Sequence, residues 1–599
     1  MASEYITLGV SLPANIAITI GLALGIVLLS ALIFFALPVR DGKDRLSDTG
    51  ALGFLNVFAA ILAPIWLFLF AHILWALYQL AATFEPTEDG KDLRWHILAF
   101  IGLVTALGGL ISAPLALIRV WTTERQTRTS EQGHMTDRIS KAVEQLGEEK
   151  TVKEVVDGQT VERTVPNIEV RIGGLLSLER IAQDSTTYDK GRDHVRVMEI
   201  LCAYVRENAP AKSAIDFPEP DWEPLKEGAT DEEREAHFAA RQMRFGDYWL
   251  EAKACKWAQA LPNPRADIQQ ALDIFGRRTK EQRAIEARWG KDAAPEATWV
   301  FDAACPSLPD TPSEDALSAE ALTAYRAELR EWKGHIESYR GYRLDLRGAN
   351  LQGADLSGAI LSGARLNKTR LEGADLREAR LEGADLGEAR LEGADLALAR
   401  MMGADLSEAR MESAFLVCTR FEGAFLVMAR MEGAVLSMAH LENASIARSQ
   451  MEWADLSEAR LEGADLIEAR LEAADLEWAR LEGASLERAR LEGTDLGRAR
   501  LEGADLGRTS MDNSTNLTEA LLRGASVRSV EDTETIAQLS PFLGEMFGDG
   551  SVKLPKGTER PAHWPDWELP SRGPNEFHTQ WKLWLSDPEN YTPPPKPAD

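Results

Sequence analysis

Few residues in this 599-residue sequence have the chemistry to act, and they are scattered. The four cysteines, Cys202, Cys255, Cys305 and Cys418, stand far apart and form no C-x-x-C pair. That argues against a zinc module and a disulfide scaffold, and it suits a reducing compartment. The nine histidines are equally dispersed, and the sequence contains no H-E-x-x-H, no P-loop and no G-x-S-x-G. Arg192, Asp193 and His194 place a base among charges, but they read as a helix start carrying a solvated charge cluster. His72 lies inside an apolar run, where it could face a partner or a polar cavity; one histidine does not make a transport path. No nucleophile, base and oxyanion donor can be assembled, so the sequence implies no enzyme, no metal and no cofactor. A net charge of -28 leaves no extended basic face, and nucleic acid is not expected as a partner.

The chain is too long for one core and reads as four segments. Residues 1–121 read as a membrane domain with three transmembrane helices at about 14–37, 53–82 and 97–118, each long and apolar enough to span a bilayer. The first reads as a retained anchor rather than a cleaved signal, because no Lys or Arg precedes it and no cleavage site is evident. Gly21 and Gly25 form a G-x-x-x-G in this helix, which would let two helices pack closely. Lys and Arg cluster after the spans, at Arg119, Arg125 and Arg128, and are absent before the first. That bias puts the N-terminus outside and the bulk of the chain in the cytoplasm.

Residues 122–340 read as a helical domain with loops. Met135, Ile139, Val143 and Leu146 fall at helical spacing, as do Ile172, Leu175, Leu178 and Ile181, then Val195, Met198, Leu201 and Val205, then Ile268, Leu272 and Phe275. Residues 209–232 and 290–316, rich in Pro, Asp and Glu, read as linkers. A last helix at about 314–340 carries Leu322, Tyr325, Leu329, Trp332 and Ile336 on one face and reads as a cap over the first coil of the repeat that begins after it.

From Leu346 a large apolar residue recurs every five positions, with a small residue two before it, through residues 341–530. A period of five fits neither helix nor strand, so the chain must turn a corner in every unit. The stretch "RLDLRGANLQGADLSGA" and its successors resemble the pentapeptide-repeat family, whose motif is A-[D/N]-L-x-x. The resemblance implies a right-handed quadrilateral β-helix with four units per coil, the central Leu and the Ala pointing inward. The whole chain then reads as multidomain: transmembrane helices, an all-α middle and a β-helical solenoid. One extra residue near Asp512 to Asn516 shifts the phase. A ten-residue period, A-R-L-E-G-A-D-L, puts Arg370, Arg390, Arg410 and Arg430 on one face and Arg380, Arg400 and Arg420 on the opposite one, each beside a Glu row. Those charges read as solubility and edge protection.

In the middle of the repeat the charges give way to Phe415, Val417, Cys418, Phe425, Val427, Met428, Val435 and Met438. All should point outward, and a contiguous exposed apolar patch marks an interface. The candidate occupants are a protein partner, a second copy or the chain's own tail. That tail, residues 531–599, is rich in Trp and Pro and reads as a cap with a disordered Pro-rich end.

Segments such as "VRIGGLLSLERIAQDS" and "PAHWPDWELP" are similar to those of a bacterial group of membrane-anchored pentapeptide-repeat proteins, which implies the bacterial inner (plasma) membrane and contact with the lipid bilayer. The expected function is a membrane-tethered scaffold that presents the rod to an unknown protein or to itself, with a homo-oligomer possible. The alternatives are an oligomeric membrane effector or channel component, and an acidic DNA-mimic rod that binds a topoisomerase.

Overall fold

The computed structural model describes residues 51–83, 90–156, 159–188, 190–220, 222, 230–245, 252–308, 317–530, 532–573 and 575–597. The expected first span, with Gly21 and Gly25, lies outside them. The chain divides between Asp137 and Arg138 into two compact units.

The first unit holds helix α1 (Ala51–Ala82) and the greater part of helix α2 (Gly90–Leu146). The Trp66 indole N–H donates to the carbonyl of Leu110 at 2.5 Å and ties the two together. Among the described residues one stretch, Leu93–Ser112, is long and apolar enough to cross a membrane, and Trp66–Ala82 is apolar but shorter. Trp95, Leu98, Ile101 and Val104 of the longer stretch point outward. α2 runs straight through the expected boundary at residue 121, because residues 119–132 contain neither Pro nor Gly to stop it.

The second unit opens with the end of α2, where Ala142 and Leu146 are buried and Val143 is not. An antiparallel hairpin comes next, β1 (Glu149–Val156) with β2 (Gln159–Pro166), Glu149 opposite Pro166. Its sequence signal is an Asp157-Gly158 pair between two runs of alternating Val, Thr and charge. The hairpin leads into helices α3 (Ile168–Tyr188), α4 (His194–Asn208), α5 (Asp231–Phe245), α6 (Lys253–Gln259), α7 (Ala266–Gly276), α8 (Lys280–Ala287) and α9 (Ala319–Glu337). α3, α4, α7 and α8 pack together around Leu175, Leu178, Met198, Leu201, Ile268 and Phe275, the apolar faces read from spacing.

The charge cluster at the start of α4 is solvated only at Arg192; Asp193 and His194 are buried. His194 is fully buried, its Nε2 lies 2.9 Å from Glu286 Oε1, and Arg278 Nη1 donates to Glu286 Oε2 at 2.7 Å. A buried carboxylate of α8, held between the His194 imidazole of α4 and the Arg278 guanidinium of the α7–α8 loop, ties these elements together.

The rod begins at Leu344. Parallel bridges join residues 20 apart, Asp345 to Arg365, Asp375 to Asp395, Phe415 to Val435, so each coil has four five-residue sides. From Asp495 to Asn516 the step becomes 21, as the extra residue requires. Thr515 anchors the added residue by donating to the Leu491 carbonyl at 2.8 Å. The central Leu and Met side chains and the alanines are fully buried from coil to coil.

Both ends are closed. The first coil is capped by the α4–α8 region, not by α9. Asn350 N donates to Ala209 O at 2.6 Å, Ala211 N to Gly348 O at 2.7 Å, and Arg278 Nη2 to Ile360 O at 2.6 Å. The last coil is capped by the tail, with helices α10 (Thr533–Leu539) and α11 (Phe577–Ser586). Phe547 bridges in parallel to Ser526, and Phe547, Leu569, Phe577, Trp581 and Trp584 form a core on it. The Pro-rich end packs there as well, since the Trp567 indole donates to Pro594 O at 3.0 Å.

Candidate interaction face

The rod has four sides. Face A carries Leu371, Leu391 and Met411 as central residues; B carries Leu376, Leu396 and Leu416; C carries Leu381, Met401 and Phe421; D carries Leu386, Leu406 and Leu426. A lies opposite C, and B opposite D.

Faces A and C carry the Arg and Glu rows, and the Glu side chains are buried, contrary to the surface role expected for them. Each row is a ladder. Glu372 Oε1 takes Arg370 Nε at 2.6 Å and Arg390 Nε at 3.2 Å; Glu392 takes Arg390 at 2.9 Å and Arg410 at 3.1 Å. The ladder on face C repeats this, with Glu382 between Arg380 and Arg400. Removal from water pushes the carboxyls up, with neighbouring glutamates adding to it: Glu392 to about 7, Glu432 to about 8 and Glu462 to about 7.

What buries them is the chain's own helical region. The segment read as a linker from 209 lies along face A, where Asp216 accepts from Arg370 at 2.8 Å and Arg390 at 3.2 Å. α6 and α5 continue that cover. A Cβ on Gly373 would stand 2.5 Å from the Ala258 carbonyl, and one on Gly433 would stand 3.0 Å from Phe245. Face C is covered by Phe301 and Asp302, from the second supposed linker, and by α9. α9 runs down the side of the rod, from Leu322 beside Gly483 to Ile336 beside Gly383. Lys333 Nζ donates to Gly423 O at 2.7 Å and Arg326 Nη2 to Gly483 O at 3.1 Å. The expected cap is therefore a strut, because its apolar face matches five coils of glycine rather than one coil end.

Faces B and D carry the Asp rows. Their carboxylates serve the backbone: Asp375 Oδ1 accepts from Arg377 N at 3.1 Å and Asp455 Oδ1 from Ser457 N at 3.0 Å. Where Phe and Val replace Asp, that bond is absent and an apolar surface takes its place. On face B, Phe415, Val417 and Cys418 are half-buried and Met438 is 48% exposed. Val435 is buried between its stacked neighbours, contrary to the expectation that it points outward. Leu398, 54% exposed and stacked before Cys418, extends the patch; it escaped notice because it stands alone among charged units. On face D, Phe425 and Met428 are exposed and Val427 half-buried. Here the chain answers itself, because the Lys333 ammonium sits 3.9 Å above the Phe425 ring. The structure thus separates the eight residues onto two opposite faces, and the larger patch is on B. Among the described residues the tail covers neither.

The model of pentapeptide repeats matches the rod in eight copies, over residues 343–377, 379–416, 434–472, 449–488, 469–508 and 484–528. Among solved structures, the chain is similar to HetL, a pentapeptide repeat protein involved in heterocyst differentiation regulation from the cyanobacterium Nostoc sp. strain PCC 7120. They share 34% identity over 30% of this chain and 88% of HetL, with a TM-score of 0.19. QnrB1, a plasmid-mediated fluoroquinolone resistance protein, is 20% identical over 32% of this chain and 97% of its own, with a TM-score of 0.21. A pentapeptide repeat protein of the Arabidopsis thaliana thylakoid lumen is 22% identical over 18% and 77%, with a TM-score of 0.12. No curated protein matches the chain.

Proposed function

We propose that this chain, which belongs to the pentapeptide-repeat proteins through its residues 343–528, is a membrane-tethered scaffold whose rod docks a protein partner on face B. A pentapeptide-repeat rod is an interaction module, and its docking surface is whatever its own chain leaves bare. Faces A and C are sheathed, so B and D remain. The observation that carries the reading is the patch of Leu398, Phe415, Val417, Cys418 and Met438 on B, an apolar area in a face otherwise built of charge. Face D carries less, and Lys333 already occupies part of it.

Tethering is supported by Leu93–Ser112, whose large apolar side chains face outward along a length of about 30 Å, the thickness of a hydrocarbon core. The arginines after it favour a rod on the cytoplasmic side of a bacterial plasma membrane. The DNA-mimic alternative loses its physical basis on faces A and C. Their glutamates are buried and paired with arginine, which leaves only the Asp rows to present negative charge.

The test is purification from native membranes in mild detergent, wild type against Phe415→Asp with Met438→Glu, reading composition and mass. The wild type should sediment with membranes and retain a partner in fixed ratio that the double variant loses. Identical composition of the two proteins would sink the assignment of face B. Recovery of the chain in the soluble fraction would sink the tether.

A further inference from the structure

The ladder on face C changes chemistry at one rung. Arg380, Arg400, Arg420, Arg460, Arg480 and Arg500 occupy the same position in successive coils, and between Arg420 and Arg460 stands His440. A guanidinium donates only; a neutral imidazole carries a lone pair and ligates metals. The Nδ1 of His440 lies 3.3 Å from Glu442 Oε1. Ligand atoms of Glu422, His440 and Glu442 all fall within 4.8 Å of one another.

Both carboxylates are buried, and each keeps one oxygen, Oε2, without a hydrogen-bond partner. Free oxygens recur along the ladder, so they do not single out this rung. What does is the roof above it. Tyr325 of α9 is 3% exposed, its hydroxyl has no partner, and the charged and titratable groups close enough to act on it are Glu442, Glu422, the Cys305 thiol and Arg460. A buried hydroxyl and a thiol therefore converge with two carboxylates and an imidazole between strut and rod, at the one rung between Arg380 and Arg500 that lacks its arginine. The His440 side chain is 34% exposed and opens the site to solvent.

We propose that Glu422, His440 and Glu442 bind a divalent transition-metal cation, clamping α9 to face C. The donor set of one nitrogen and carboxylate oxygens suits zinc. Arg420 Nη2, 2.5 Å from Glu422 Oε1, and Arg460 Nε, 2.9 Å from Glu442 Oε1, hold the two carboxylates in place and leave Oε2 of each to the cation. The two guanidiniums balance the two carboxylates. A divalent cation that displaces the His440 proton therefore adds a single unit of charge, in a chain whose net charge is -28.

The experiment is calorimetric titration of zinc into the full chain in detergent, first stripped with chelator, against His440→Arg and His440→Gln. His440→Arg rebuilds the repeat's own rung, so it should fold and unfold thermally like the wild type. The wild type should take up one tight equivalent of zinc and protect α9 from hydrogen exchange when loaded. Both variants should lose that equivalent and the added protection. Titration in buffers of different ionisation enthalpy should show proton release on binding below neutral pH. A wild type that binds no more zinc than His440→Arg, or a His440→Gln that binds as tightly as the wild type, overturns the proposal.

Discussion

Arg241 supplies a cation that face A itself lacks. Arginine stands at residues 370, 390, 410, 430, 470 and 490 of that face, but residue 450 is Gln, which leaves Glu432 and Glu452 one partner short. Arg241 reaches in from α5. It is buried, lies 5.5 Å over the Trp453 ring, donates to Glu472 O at 3.3 Å, and its charge acts on Glu452, Glu472 and Glu432. Arg241→Ala removes a charge-assisted hydrogen bond of about 1.5–3 kcal/mol and a partly desolvated cation–π contact of about 1 kcal/mol. Two effects hold the loss below the ~3–5 kcal/mol of a broken buried pair. Burial has already lowered the Arg241 guanidinium to about 10, so its removal also relieves a desolvation cost. Glu452 also keeps Arg470 at 2.9 Å. The net is about 2 kcal/mol, localised in the docking of α5 because the rod's own ladder survives. Hydrogen exchange read by mass spectrometry should therefore show protection of residues 231–245 falling about 30-fold, since each 1.4 kcal/mol is a factor of ten, while α9 on face C is unchanged. Gln450→Arg alone should also loosen α5, because the new guanidinium takes the place of Arg241. Unchanged protection of α5, or equal loosening of α9, would refute the reasoning.

The other predictions concern the same sheath. The carboxyls of Glu392, Glu432 and Glu462 stand near 7 to 8 when folded, against an ordinary 4.5, because burial disfavours the charged form. A raised value favours the folded state while the group is protonated. That stability is complete below about 4.5 and is lost as pH rises through 7 to 8. The thermal midpoint should therefore fall between about pH 5 and pH 8, and a midpoint that rises would contradict the burial of the ladder. Gly373→Glu should cost about 2 kcal/mol and release α6, because a Cβ there meets the Ala258 carbonyl at 2.5 Å. Glu378→Gly, at φ +58 on open face B, should change the thermal midpoint little, and equal effects of the two would remove the steric argument. Phe415→Asp with Met438→Glu should leave the midpoint near wild type, because both side chains stand on an open face; a large fall would mean that they pack rather than present.

The rod was legible because its core is local. An apolar residue every five and a small residue two before it fix side, corner and coil without help from the rest of the chain, and even the added residue before Asn516 announces itself. The α3, α4 and α7 faces were legible from their spacing for the same reason. The sheath was not, because covering the rod is a long-range matter. Phe301 looks like a stray aromatic in a loop, yet it is fully buried and would lie 2.4 Å from a Cβ on Gly363. Asp216 looks like one more acid in a linker, yet it bridges two rungs of the ladder. His194 reads as solvated because its partner Glu286, itself held by Arg278, stands 92 positions away in sequence.

One signal for the sheath was nevertheless present in the sequence, in the ten-residue period itself. The units place the second residue after their central apolar one at positive φ, where the backbone favours glycine. On the open faces that position is filled by Glu378, Glu388, Leu398, Glu408, Met428 and Trp478, all at φ near +60. The turn therefore tolerates side chains, and glycine is not required by the dihedral. On faces A and C the same position is Gly373, Gly383, Gly393, Gly403, Gly423 and Gly433. There an added Cβ would stand 2.5 to 3.2 Å from the helical cover. These six glycines are thus a record of close approach, and the buried Glu372, Glu382, Glu392, Glu422 and Glu432 before five of them record the same cover. Where the alternation lapses, the cover changes too: Trp453 replaces glycine where Arg241 stacks, and Asn443 where α9 leaves a groove beside Arg326, Arg330 and Lys333. Between residues 373 and 483 the Glu-Gly units face the helical cover, and the side chains of Glu378, Glu388, Leu398, Glu408, Met428 and Trp478 stand on the walls left open. By that reading the apolar patch on face B lies on a surface that the chain's own helices leave bare.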